Sequence, residues 1–342
     1  MLANRYDVFS VLHVCVYFAV CHFAWVRHDA TQWMQAWLST ALVSYYAFAC
    51  GCVAHNSMHC RTFEHRGLET AYHQILTLTF GHPVSTLVPG HNLSHHRHTQ
   101  TTLDAMRTSK VRFEWHFLNL LLFQPTVARD VFAVDMRYLS MQKMMNRAFF
   151  GQACAQFAVL LVSQAVLLWM DWRRFLLYVY LPHVFAQWAI VTMNLLQHDG
   201  CHVPCSDDTP AQRYNTARNF TGRVLNLLTF NNGYHTIHHM FPRMHWSRLR
   251  EEHNRQVKPH IHPALEQSSL GVYLFRTFVF PGRRLDYLGA PVVLAPEQPD
   301  EDWTLQYAAP GLVLEDYDVD MDVRGRLGRI VSGVGTGCVR GS

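Results

Sequence analysis

Residues 33–59 read WMQAWLSTALVSYYAFACGCVAHNSMH. Trp33–Val53 carries no charged residue and approaches the ~20 residues that cross a bilayer as a helix. The end of the stretch changes character without a break. His55-Asn-Ser-Met-His59 sets two imidazoles four positions apart, one above the other if the helix continues past the membrane surface. A membrane span therefore runs directly into a pair of side chains suited to iron, zinc or copper.

The same kind of cluster recurs twice. His91-Asn-Leu-Ser-His95-His96 repeats the four-residue spacing, with His96 turned about 100° from His95. His235-Thr-Ile-His238-His239 follows Asn231-Asn232-Gly233 and precedes Pro242, which is reasonable helix punctuation. These eight imidazoles exceed what one ion takes, and adjacent histidines suit two neighbouring ions, so the clusters predict a two-metal site. No Glu follows His55 within the first pair, which argues against a zinc protease helix.

Working outward, Val8–Val26 is a second apolar stretch, joined to the first by the short link Arg27–Gln32. Gln152–Met170, the link Asp171–Arg174 and Phe175–Leu196 form another pair. The expected fold is all-α and integral to the membrane. Four transmembrane helices (about 8–26, 33–53, 152–170 and 175–196) make two hairpins, and the polar segments 54–151 and 197–296 form a helical cap that carries the histidines. Ile75–Val88 and Phe117–Phe123 read as interfacial or re-entrant elements. Trp25, Trp33, Trp169, Trp172 and Tyr178 lie near span ends and read as interface anchors. Residues 297–342, acidic and then Gly-rich, are expected to be a loosely ordered tail after the main domain, 1–296.

Of the 29 Lys and Arg, 25 lie in 54–151 and 197–342, so these segments are expected on the cytoplasmic side with all three clusters. That places the chain in a cell inner membrane or, in a eukaryote, the endoplasmic reticulum. A net charge of +4 without a Lys/Arg block excludes a nucleic-acid binder. Nine cysteines without a C-x-x-C pair fit a reduced compartment. Cys201-His202-Val-Pro-Cys205 is a weaker metal-binding motif.

In these clusters and spans the chain resembles the integral-membrane fatty acid desaturase and hydroxylase superfamily, over about residues 8–290. The third box, Tyr234-His-Thr-Ile-His-His239 followed by Met-Phe-Pro, looks most like fatty acyl desaturases, and the flanks of Gly90-His-Asn-Leu-Ser-His-His-Arg-His-Thr99 agree. The resemblance implies a di-iron centre held by His55, His59, His91, His95, His96, His235, His238 and His239. It adds a ninth ligand from Asn194-Leu-Leu-Gln-His198, namely His198, with Asn194 acting through water. His98 and His202 are rival or supporting groups.

The implied reaction uses O₂ and two electrons to place a double bond in an acyl chain carried by a lipid, coenzyme A or a carrier protein. The chain has no His-Pro-Gly-Gly haem sequence, so electrons are expected from a separate ferredoxin, rubredoxin or cytochrome b5 type of donor. The three-residue gap between His91 and His95 is shared with membrane alkane hydroxylases, so a di-iron hydroxylase of alkanes, fatty acids or other lipids is the alternative. A His-rich metal transporter would set its ligands inside the spans, where His183 is the one candidate.

Glu64, Asp104, Asp130, Asp135 and Asp199 are candidates to orient the ligand rings, with Asp199 foremost because it adjoins His198. Arg97, Arg107, Lys110, Arg112 and Arg218 are candidates for a negatively charged substrate head or for anionic lipid headgroups.

Overall fold

The structure is a computed structural model and describes residues 1–304. It is predominantly helical. The long helices are α1 (Asp7–Val26), α2 (Trp33–His59), α3 (Arg66–Phe80), α4 (His116–Met145), α5 (Arg147–Met170) and α6 (Trp172–His198). All except α3 are long and apolar enough to cross a membrane, which makes five such helices among the described residues. The fifth departs from the sequence reading. Phe117–Phe123 does not stand alone but is the first part of the 30-residue α4, because helix-forming residues carry the pattern on past Pro125. Ile75–Val88 divides between the end of α3 and short 3₁₀ and π turns, broken at Gly81 and Pro83.

The chain forms two compact units. The first comprises Met1–Pro89 and Asp135–Val191. Here α1 and α2 make a hairpin whose turn is closed by Asp29, which accepts from the Thr31 N–H at 2.9 Å and its hydroxyl at 2.7 Å. The second half of α2 is buried on all sides by virtue of small residues, Ala47 and Ala49–Ala54, which let neighbouring helices approach closely. α3 ends at Gly81, whose φ of +71° suits glycine, and a Cβ there would lie 2.3 Å from the His183 ring.

Two caps define α5 and α6: the Asn146 side chain accepts from the Phe149 N–H, and Asp171 accepts from the Arg173 and Arg174 N–H groups. Apolar side chains on α5 face outward, with Leu161 and Val162 each 63% exposed and Trp169 87% exposed. Leaving that surface in water costs about 25 cal/mol per Å², so lipid is its natural solvent. The helices are those of a multi-pass membrane protein.

Two sequence readings change in this unit. Tyr178 is not an interface anchor, since it is buried with its hydroxyl 2.8 Å from His28 Nδ1. His183 is a hydrogen-bonded interior residue, its Nε2 3.0 Å from the Tyr17 hydroxyl.

The second unit comprises Gly90–Val134 and the chain from Thr192 onward. Short helices and turns dominate it, including α7 (His235–Met240), and two parallel two-residue strands, β1 (Asn219–Phe220) and β2 (Glu266–Gln267), pair Asn219 with Glu266. A core of Tyr234, Ile237, Leu249, Val257, Ile261 and Leu265 supports α7. Packing runs past residue 296, for Trp303 is fully buried and Thr304 nearly so. The rest of the tail, 305–342, lies outside the described residues.

Candidate metal centre

Each unit carries part of the histidine complement. On α2 of the first unit, His55 and His59 stand one turn apart with ring centroids 5.0 Å apart. The helix end below them is tied down by Glu69, a buried carboxylate from α3. It accepts from the Ser57 hydroxyl (3.0 Å) and from the backbone N–H groups of Thr62 (3.3 Å) and Phe63 (2.8 Å), and it meets His73 Nε2 at 3.1 Å.

The other seven histidines gather in the second unit. His95, His198, His235 and His239 bring one ligand atom each within 4.8 Å of one another. His91, His96 and His238 do the same in an adjoining set, with the His96 ring stacked on His239 at 4.2 Å.

The donor chemistry in the four-histidine set favours a cation. His95 Nδ1 donates to Asp104 at 2.9 Å, which leaves Nε2 as the lone-pair nitrogen, buried and without a hydrogen-bond partner. His198 Nδ1 donates to the Thr216 carbonyl at 2.9 Å, so its Nε2 also presents a lone pair. That Nε2 lies 2.9 Å from His235 Nε2, which in turn lies 3.0 Å from His239 Nε2. One ring proton on His235 serves only one of these neighbours. Two ligands ~2.1 Å from one ion and about 90° apart leave their nitrogens roughly 3 Å from each other, which matches these contacts. The residues present therefore fit a bound metal ion.

The electrostatics agree. Burial, reinforced by the neighbouring His235, His198, His95 and His238, holds His239 well below the usual histidine range, so it is neutral and able to ligate near pH 7. Burial opposes ionisation of Asp104, but His95 and the Gln100 and Met106 N–H groups, each at 2.8 Å, outweigh it and hold the carboxyl below its ordinary range.

The third box is fixed from outside its own helix. Asn219 on β1 donates to the Thr236 hydroxyl and accepts from its N–H, both at 3.0 Å. Gly233 lets the turn before α7 pass against β1, where a Cβ would sit 2.1 Å from the Phe220 carbonyl oxygen.

Several candidates take other partners. Asp199 does not orient His198. It forms a buried two-point ion pair with Arg284, at 2.6 Å for each contact, while a backbone carbonyl from Thr216 takes the His198 proton. Asp130 pairs with Lys110 at 2.6 Å. Arg218 is buried, donating to the Leu196 and Asp199 carbonyls and lying 4.4 Å from the Tyr273 ring, so it is not a surface cation for a headgroup. His202 meets Asp208 at 2.7 Å and stands outside both sets. His98 is also outside them, pushed down to about 4 by burial and by Arg97. Asn194 donates to the Met106 carbonyl at 2.6 Å, and its buried side-chain oxygen has no hydrogen-bond partner.

Thr216, Arg284 and Asn219 went unseen in the sequence. Two of them act over 18 and 85 residues of separation, and Thr216 acts through its backbone, which no side-chain motif announces.

Comparison with known proteins bears on this arrangement. The family model for fatty acid desaturases matches residues 31–268, more than two-thirds of the chain, and this range contains all three boxes. The chain belongs to the fatty acid desaturase family. No curated protein matches it. Membership makes an oxidoreductase built on histidine-held metal the coarse reading of the site.

Proposed function

We propose that the protein is an O₂-dependent desaturase that places a double bond in an acyl chain, using two iron ions and electrons from a separate donor protein. The observation that carries this reading is the buried four-histidine set with its lone pairs turned inward by Asp104 and Thr216, in a chain of this family. In this reading His95, His198, His235 and His239 hold one ion. His91, His96 and His238 hold the other, the family resemblance adds His55 and His59 as iron ligands, and Asn194 acts through water.

When bound, the iron pair supplies the O₂ chemistry that removes hydrogen from an unactivated chain. Overall, O₂, two electrons and two protons become two waters while two neighbouring hydrogens leave the chain. The protein's part is to keep each ring in one tautomer. Asp104 and the Thr216 carbonyl hold the Nδ1 protons of His95 and His198, so that Nε2 remains the donor atom.

The membrane topology proposed is four spans, α1, α2, α5 and α6, with the boxes on the cytoplasmic face. Box two and box three share one cluster, which calls for an even number of crossings between them. Three long helices intervene, and α4 is the one to set aside. It contains Pro125 and the charges Arg129, Asp130, Asp135, Arg137 and Lys143. The substrate is then an acyl lipid or an acyl thioester of coenzyme A or a carrier protein, reached from that face.

Expression in a host with a simple lipid profile, followed by gas chromatography–mass spectrometry of total acyl chains, tests the reading. A product two mass units lighter is expected, absent in a His95→Ala, His239→Ala variant. A product sixteen units heavier would instead identify the hydroxylase.

A further inference from the structure

Three of the basic residues available for a substrate head are occupied by the chain itself. Arg107 Nη1 and Lys110 Nζ each contact a different carboxylate oxygen of Asp300, the latter at 2.5 Å. Arg107 also donates to the Gln298 carbonyl at 2.5 Å, and Arg112 to the Ala295 carbonyl at 2.8 Å. Next along the chain, the Glu301 N–H donates to the Thr102 carbonyl at 3.0 Å, and Glu301 accepts from the Thr102 hydroxyl at 2.6 Å. Trp303 is fully buried just beyond. Residues 295–304 thus lie as a strap along the basic segment 102–112. That segment begins seven residues after His95 and includes Asp104, the carboxylate that orients the His95 ring.

The chemistry of the strap is uneven. Its buried anchor is apolar, Trp303. Its contacts to Arg107 and Lys110 are ionic and reach solvent only through Asp300, whose side chain is 28% exposed, while both cations are 8% exposed and Lys110 also holds Asp130 at 2.6 Å. Cations held this far from water need an anion beside them, so a group that displaces Asp300 must bring negative charge of its own while the tryptophan stays in place. Two cations gripping separate oxygens of one anion is also the geometry that recognises phosphate.

We propose that Arg107 and Lys110 form the binding site for a phosphate group on the head of the acyl substrate, and that the strap is its built-in competitor, with Asp300 occupying the phosphate position. The proposal rests on the acyl-substrate reading above. A tethered carboxylate acts at an effective concentration of about millimolar, so the free ligand binds appreciably only when it outcompetes Asp300. The strap thereby favours heads that offer more than one negative charge over singly charged ones. Glu301 adds to the competition by holding the strap at Thr102. Phosphate of this kind comes either from a coenzyme A thioester or from a phospholipid, and both sources are tested.

The experiment uses the full chain, iron-loaded, in nanodiscs of neutral phosphatidylcholine. Coenzyme A binding is measured calorimetrically for wild type, for Asp300→Asn with Glu301→Gln, and for that double variant carrying Lys110→Gln as well. In parallel, nanodiscs containing phosphatidic acid are scored by retention of the labelled lipid. The double variant is expected to bind one of these probes about tenfold more tightly than wild type, and Lys110→Gln to abolish the gain. A gain for coenzyme A assigns the site to a thioester head, and a gain for phosphatidic acid assigns it to a lipid head. Equal binding by wild type and double variant to both probes overturns the proposal and leaves the strap as a structural staple. Binding needs no turnover. Iron content and the acyl product of the wild-type protein, taken from the same preparation, judge the desaturase reading separately.

Discussion

The two histidine arrangements are built by different means. His55 and His59 owe their pairing to a single helix, since four residues along α2 is one turn and the rings must lie together. The set of His95, His198, His235 and His239 comes from three separated stretches of chain. Nothing local brings those rings together. A carboxylate, a backbone carbonyl and a β-strand asparagine hold them, each from another element. A helical pair is therefore robust to changes in its surroundings, whereas the assembled set depends on residues that never touch the metal.

That contrast has measurable consequences. The largest concerns the buried pair of Asp199 and Arg284. Arg284 also donates to the Val111 and Thr108 carbonyls, so it joins the chain after box two to the end of α6. Arg284→Ala strands the Asp199 charge and is expected to cost about 3–5 kcal/mol of stability, read as a fall in melting temperature. If only metal affinity fell and stability held, Asp199 would be acting on His198 after all.

A middle-sized effect is expected from comparing Asp104→Asn with Glu69→Gln. Losing the Asp104 carboxylate frees the His95 ring, and metal affinity should fall by about 10–100-fold in a chelator competition. Glu69→Gln unsettles the end of α2 and should lower the melting temperature, with a smaller change in metal affinity because the helix itself still pairs His55 and His59. Equal losses of affinity in the two variants would erase the distinction between the arrangements.

The smallest effect is with pH, on metal-stripped protein. His239 is held well below 6.5, and His98 sits at about 4. These rings stay neutral in the folded chain but take up a proton on unfolding below about pH 6.5. Their contribution to stability is therefore complete above pH 6.5 and declines as the pH falls from there toward the folded values. A melting temperature that drops between pH 7 and pH 5 is the expected result, and His239→Gln should flatten the drop. A flat profile in the wild-type protein would count against neutral, buried rings.

Much of this molecule was readable in advance, and the reasons are physical. Six of the nine histidines pair from spacing alone: His55 with His59, His91 with His95, and His235 with His239. The hairpin of α1 and α2 followed from two apolar lengths and a short charged link. α4 is longer than the sequence reading has it because Pro125 and the charges from Arg129 onward interrupt the pattern after Phe117–Phe123, whereas the helix runs through them. Asp199 was favoured as a partner for His198 because it is adjacent in sequence, yet adjacent residues on a helix point about 100° apart. Asp104 stands behind Asp199 among the five acidic candidates in the sequence, and only the fold sets it 2.9 Å from His95.

By itself, then, the sequence determined whatever depends on one stretch of chain: which segments suit a bilayer, which histidines share a helical face, and which family the boxes resemble. The tertiary structure alone decided which carboxylate orients a ligand, which carbonyl sets the His198 tautomer, and that the acidic strap at 295–304 meets Arg107 and Lys110. Those are pairings between groups many residues apart. Periodicity reports the direction of a side chain relative to its own helix, and only the packed fold reports what lies in that direction.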